Sequence, residues 1–373
     1  MHSSKAGMKT GKLIKRFLPY YKNYWRTVTF DLVCAALTTV CEIVLPQIIR
    51  SITNLADDSL ALLTVGYVLK VGGLYVVLRL MDAAAAYYMA SVGHIMGSRI
   101  ETDMRRDLFA HLQQLSFSYY SNTKVGQIMA RITGDLFEVT EFAHHCPEEF
   151  FIALIKIVAS FIILSGINFW FTLAVFLLLP LMLVATRLFN KRMRKAFMDS
   201  RTQVGELNAQ VEDSLLGIRV VKAFANEDVE REKFEGGNRR FLSVKKDMYL
   251  WLGAFHASTR FFDGMMYILV VVAGSLYMIR GAIMPADLVA YLLYVATLLS
   301  TISRVIEFTE QFQRGLTGIE RFAEVMDQKV EIVDEPGARA RRIERGEVRF
   351  DHVSFAYEKG AEEVLSDISL AVS

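Results

Sequence analysis

Apolar residues gather into six long runs, near Val28–Ile49, Leu62–Ala90, Phe150–Ile167, Phe169–Phe189, Phe261–Ile279 and Ala286–Ile306. A run of about 20 apolar residues makes a helix that can cross the roughly 30 Å hydrocarbon layer of a bilayer. A helix suits that layer because it satisfies its backbone polar groups internally. The connections alternate in length. Arg50–Ala61, the turn at Asn168 and Arg280–Pro285 are short, whereas Ser91–Glu149 and Asn190–Arg260 are long. The pattern predicts an all-α polytopic membrane domain of six crossings that projects far on one side only.

The long connections keep a helical period. Ile100, Met104, Leu108 and Leu112 fall on one face, and so do Ile128, Ile132, Leu136 and Val139. Between them, Ser116–Lys124 breaks the period with aromatic and small polar residues. The second connection repeats the plan, with helices over Thr202–Leu216 and Val229–Met248 and a break near Phe224–Asp228. Two helical hairpins with short tips are therefore expected. At the amino terminus, Lys12–Trp25 interleaves basic residues with Leu13, Ile14, Phe17, Leu18, Tyr20 and Tyr21. That suits a short helix lying on a membrane surface.

After the last crossing the helical pattern continues to Met326. A polar stretch, 327–345, carries Pro336-Gly337 and reads as a linker. Beyond Gly346 the period becomes two. Val348 and Phe350 alternate with polar residues, then Val353, Phe355 and Tyr357 do so on the opposite parity. A parity switch predicts a bulge near Asp351-His352. Val364, Ile368, Leu370 and Val372 suggest a second strand. A lone hairpin is marginal, so 346–373 is expected to be the truncated start of an α/β domain.

Charge orients the chain. Residues 1–27 carry seven Lys and Arg, and Lys191-Arg192-Met193-Arg194-Lys195 opens the second long connection. Lys and Arg near crossing ends stay cytoplasmic, which places the amino terminus and both long connections on the cytoplasmic side of a cell membrane. The net charge of +2 argues against a nucleic-acid partner. The chain is 53% hydrophobic, above the 45–50% or so usual for soluble domains. Three cysteines without a C-x-x-C pattern indicate neither a disulfide framework nor a thiolate metal site.

Three strings carry a family likeness: FSYYSNTKVGQIMARITGDLFEV (117–139), LLGIRVVKAFANEDVE (215–230) and VRFDHVSFAYEKG (348–360). With the six-run layout they resemble the half-transporter subunits of ATP-binding cassette (ABC) exporters. The likeness implies a transmembrane domain over 1–326, with an interfacial helix in 1–27, and a nucleotide-binding domain beginning at 346. It implies that Phe117, Tyr119, Tyr120 and Ser121, and Phe224, Ala225, Asn226 and Glu227, form coupling helices that dock on nucleotide-binding domains. It implies that Tyr357 stacks on adenine, a contact that a planar aromatic face makes well. It also implies ATP and Mg2+ in the longer parent protein, a second subunit (identical or different), surrounding lipids and an unidentified exported substrate, whether small molecule, lipid or peptide.

The phosphate-cradling pattern G-x-x-x-x-G-K-[ST] does not occur; Gly7–Lys12 is one residue short. No catalytic residue is assigned, and this stretch alone is expected not to hydrolyse ATP. The rival reading is a non-enzymatic six-helix channel or scaffold, but no pore loop or small-residue filter is evident.

Ionisable residues inside the runs are costly and face a cavity or a partner. Arg79 and Asp82 are three apart and able to pair. Lys156 is placed to snorkel toward an interface. Glu42, just before Pro46, either lines a cargo path or contacts a neighbouring helix. His144-His145-Cys146 with Glu148 and Glu149 contains metal-ligand types. Adjacent helical residues point in different directions, so no metal site is assigned.

Overall fold

The computed structural model describes residues 10–58, 60, 63–339, 346–356 and 363–372. The order is α1 (Thr10–Lys22), α2 (Trp25–Asp58), α3 (Val65–Tyr88), α4 (His94–Leu112), α5 (Phe117–Asn122), α6 (Val125–Ala130), α7 (Leu136–Ser165), α8 (Phe169–Leu216), α9 (Ile218–Ala223), α10 (Glu227–Ile279), α11 (Pro285–Met326), β1 (Val348–Phe355) and β2 (Leu365–Val372). Single π-helical turns, Met89–Gly93 and Arg131–Asp135, join α3 to α4 and α6 to α7 as continuous rods.

The helices outrun any bilayer. α8 has 48 residues and α10 has 53; at about 1.5 Å per residue these are rods of roughly 72 and 80 Å. Each begins or ends where the expected breaks fall, with α8 stopping at Leu216 and α10 starting at Glu227. Among the described residues, α2, α8, α10 and α11 are long and apolar enough to cross a membrane. α3 and α7 fall outside that group. Lys70, Arg79 and Asp82 interrupt α3, and His144 to Glu149 interrupt α7. Of the six expected crossings, four thus stand on length and composition alone. Leu69, Leu80, Leu177, Leu188 and Ile268 are nonetheless exposed on α3, α8 and α10, an apolar surface suited to lipid.

Two cores hold the bundle. One, at the projecting end, gathers Ile100, Met104 and Leu108 of α4, Leu136 and Val139 of α7 and Ile319 of α11. The other, in the apolar half, gathers Phe171, Val175 and Met182 of α8, Met266 and Val270 of α10 and Tyr291 and Leu298 of α11. Small residues allow the close approach of α7 and α11. A Cβ on Gly315 would meet Phe142 Cβ at 2.1 Å, and one on Gly318 would meet the Asp135 carbonyl at 2.6 Å. Buried hydroxyls tie the second core. Tyr294 donates to the Ile43 carbonyl at 2.7 Å, and the Tyr291 hydroxyl lies 2.6 Å from that of Thr172.

α1 packs one side against the bundle. Leu13 and Phe17 are buried in the projecting core, Phe17 packing edge-on against Phe142 at 5.7 Å. Tyr20 donates to Asp107 at 2.6 Å, and Arg16 pairs with Asp327. α4 and α11 extend far enough to cover Leu13 and Phe17, while Leu18 stays exposed.

β1 and β2 pair antiparallel from Val348↔Val372 to Phe355↔Leu365. The register slips between Phe350 and Val353, and His352 has φ +49°. The expected bulge is there.

Candidate functional site

Each hairpin tip exposes one phenyl ring, Phe117 on the first and Phe224 on the second. Phe117 opens α5 and is 87% exposed. Tyr119 turns inward against the projecting core, and Tyr120 donates to the Leu112 carbonyl at 2.6 Å. Ser121 donates back to the Phe117 carbonyl at 3.1 Å, closing the short helix. The tip is therefore a rigid platform that presents one phenyl ring.

The second tip is built differently. α9 ends at Ala223, Phe224 follows 73% exposed, and Ala225 adopts φ +49°. The left-handed residue reverses the chain, so that Asn226 can donate its amide to the Val221 carbonyl at 3.0 Å. α10 then starts with Glu227, Asp228 and Glu230 in its first turn, where the helix dipole favours anions. Lys222 Nζ lies 2.7 Å from Glu227 Oε1, and this hydrogen bond holds the Glu227 carboxyl below its usual range. No hydrogen bond or ion pair among the described residues joins the two tips.

Ion pairs lock the first hairpin to the end of α11. Arg131 pairs with Glu324 at 3.3 Å and Asp135 with Arg321 at 2.8 Å. Beyond α11, Glu331 accepts hydrogen bonds from Ser116 at 2.6 Å and Ser118 at 3.0 Å. These bonds pull the Glu331 carboxyl below its ordinary value. The first tip, the last helix and the segment leading toward β1 are thus one mechanical unit. Sequence reading missed Glu331 because its partners are 213 and 215 residues away. Only the polarity of the linker hinted at it.

Inside the bundle, Glu42 faces Lys156, with Oε2 and Nζ 2.5 Å apart. Lys156 is buried and paired rather than snorkelling outward. Arg79 pairs with Asp82 at 3.0 Å, as their spacing implied. Arg50 bonds Asp287 at 2.6 Å, while the other oxygen of Asp287 accepts from the Met284 amide and caps α11. On α7, Glu149 turns to Arg304 at 2.9 Å and Cys146 toward the Phe308 carbonyl. His144 and Glu148 turn the other way, toward Asp31 of α2. Tyr357 lies outside the described residues.

The family model for the ABC transporter transmembrane region matches residues 28–302. YwjA of Bacillus subtilis (strain 168), named an uncharacterized ABC transporter ATP-binding protein, is 33% identical over 361 residues. The match covers 96% of this chain and 62% of YwjA. YgaD of the same organism, provisionally named a multidrug export ATP-binding/permease protein, is 25% identical over 97% of this chain and 63% of its own length. The chain therefore spans somewhat under two thirds of the curated relatives it matches.

Proposed function

Since the chain belongs to the ABC transporter transmembrane family, we propose that it forms the membrane part of one subunit of an ATP-driven exporter. In this reading α3 and α7 complete six crossings with α2, α8, α10 and α11. The amino terminus and both hairpins face the cytoplasm of the cell, and the tips dock on nucleotide-binding domains. A second subunit pairs with this one. In support, only 17% of the most apolar stretch of α10 is buried within the chain, against 44% for α11. α10 therefore offers apolar surface to lipid or to a partner.

The mechanism is alternating access. ATP binds best when the nucleotide-binding domains are closed together, and only such differential affinity can move a conformational equilibrium. The hairpins carry the closure to the crossings. The observation that carries this reading is the pair of exposed rings, Phe117 and Phe224, on hairpin tips tens of ångströms from the apolar half. Such a ring is wasted on a tip that contacts nothing. Tyr357 stacks on adenine in the whole protein, which binds ATP with Mg2+. Glu42 borders the transport path opposite Lys156.

The test uses the full-length protein reconstituted in vesicles. Phe224→Ala is expected to lower transport per ATP hydrolysed while the protein stays folded. Unchanged coupling in both Phe224→Ala and Phe117→Ala refutes the assignment.

A further inference from the structure

Where α2, α4 and α7 meet, three side chains converge in the interior without partners suited to them. Asp31 is 4% exposed, His144 4% and Glu148 7%. His144 Nδ1 stands 3.8 Å from Asp31 Oδ2, and His144 Nε2 stands 3.8 Å from Glu148 Oε2. These gaps are too long for hydrogen bonds. Among the described residues, Asp31 Oδ1, His144 Nδ1 and Glu148 Oε2 have no hydrogen-bond partner. Nor does any Lys or Arg among them pair with either carboxylate. Two neighbouring charged groups on α7 are engaged elsewhere, Glu149 with Arg304 and Lys156 with Glu42.

Two buried carboxylates beside an imidazole are expensive unless something compensates them. One ligand atom from each of the three residues lies within 4.8 Å of the other two. A tetrahedral ion with bonds of about 2.0–2.2 Å sets its ligands roughly 3.4 Å apart. Binding an ion therefore requires the three side chains to draw together by that difference. The backbone makes room for the histidine. The π-helical turn Met89–Gly93 brings Gly93 against the His144 ring, where a Cβ would meet Cε1 at 2.1 Å. Single π-turns of this kind often mark functional sites. His94, the first residue after that turn, stacks edge-on to His144 at 4.6 Å.

We propose that Asp31, His144 and Glu148 bind one divalent transition-metal ion, such as Zn2+ or Mn2+. The mixed nitrogen and oxygen donors suit that class. Two carboxylates match the charge of a divalent cation, and the ion joins α2 to α7 across more than a hundred residues of chain.

The experiment titrates Co2+ into full-length, chelator-stripped protein in detergent and reads its ligand-field absorption. The expected result is one Co2+ per chain, displaced by Zn2+. Asp31→Asn and Glu148→Gln preserve volume and are each expected to weaken binding at least about tenfold. His144→Ala is a third removal, and monodisperse elution verifies that each variant folds. His145→Ala is expected to bind as the parent does. Absence of stoichiometric Co2+, binding that survives both Asp31→Asn and Glu148→Gln, or loss only in His145→Ala overturns the proposal. The readout involves neither ATP hydrolysis nor transport, so it stands or falls apart from the transport reading.

Discussion

Lys156 Nζ lies 2.5 Å from Glu42 Oε2, joining α7 to α2 inside the bundle, and the two partners are unequally placed. The Lys156 side chain is 10% exposed and that of Glu42 44%. Glu42→Ala strands a buried ammonium, whereas Lys156→Met leaves a carboxylate that protein covers only in part. Glu42→Ala is therefore expected to lower stability more, by about 2–3 kcal/mol against about 1 kcal/mol. Thermal unfolding of both single variants and the double variant checks the order. In the double variant, part of the Glu42→Ala loss is expected to be recovered.

The close contact of α7 with α11 depends on the missing side chain of Gly315, against which Phe142 packs. Gly315→Ala forces the helices apart or Phe142 off its rotamer, at an expected cost of about 1–3 kcal/mol. The unfolding midpoint in nanodiscs measures it. Gly126→Ala meets nothing within 4 Å and serves as the control.

Ala225 sits at φ +49°, a conformation that costs a residue with a Cβ about 1–2 kcal/mol. Ala225→Gly is expected to relieve that strain and slow amide exchange across the second tip. Ala225→Val should speed it. Equal exchange in all three proteins would show that the backbone there is not under strain.

Hydrogen bonds from Ser116, then Ser118, lower the Glu331 carboxyl from its ordinary value of 4.5. A group whose folded value is depressed stabilises its contact above the unfolded value and loses that contribution as pH falls through the folded one. The link between the first tip and the linker is thus expected to be complete above pH 4.5 and to weaken below it. Spin labels at Ser121 and Val333 report it as a distance distribution that broadens in acid. Glu331→Gln removes the pH dependence.

Tyr294 donates to the Ile43 carbonyl from a fully buried position. Tyr294→Phe removes that bond and the one its hydroxyl accepts from Gln47 Nε2 at 3.2 Å, at an expected cost of about 1–2 kcal/mol. Thermal unfolding again measures it.

Much of this was legible in the chain itself. Apolar runs, their period of three to four and the breaks near Ser116 and Phe224 are local properties. A helix obeys them wherever it lies, so both hairpins and their tips could be placed without a structure. The parity switch at His352 announced the bulge for the same reason. The count of crossings does not follow from hydropathy alone, because charges in α3 and α7 lower a signal that depends on averaged hydropathy.

The partners of polar groups were not legible, since a sequence carries no measure of distance between remote positions. Read in isolation, His144 and Glu148 lacked a second pair of ligands; Asp31, over a hundred residues earlier, stands beside them only because α2 packs on α7. Lys156 meets Glu42, and α1 buries Leu13 and Phe17, by the same long-range packing. Local periodicity determined the rods, their breaks and their apolar halves. Which charges are neutralised, which faces are covered and which carboxylates converge was decided by the tertiary structure, because burial and Coulomb energy depend on neighbours in space.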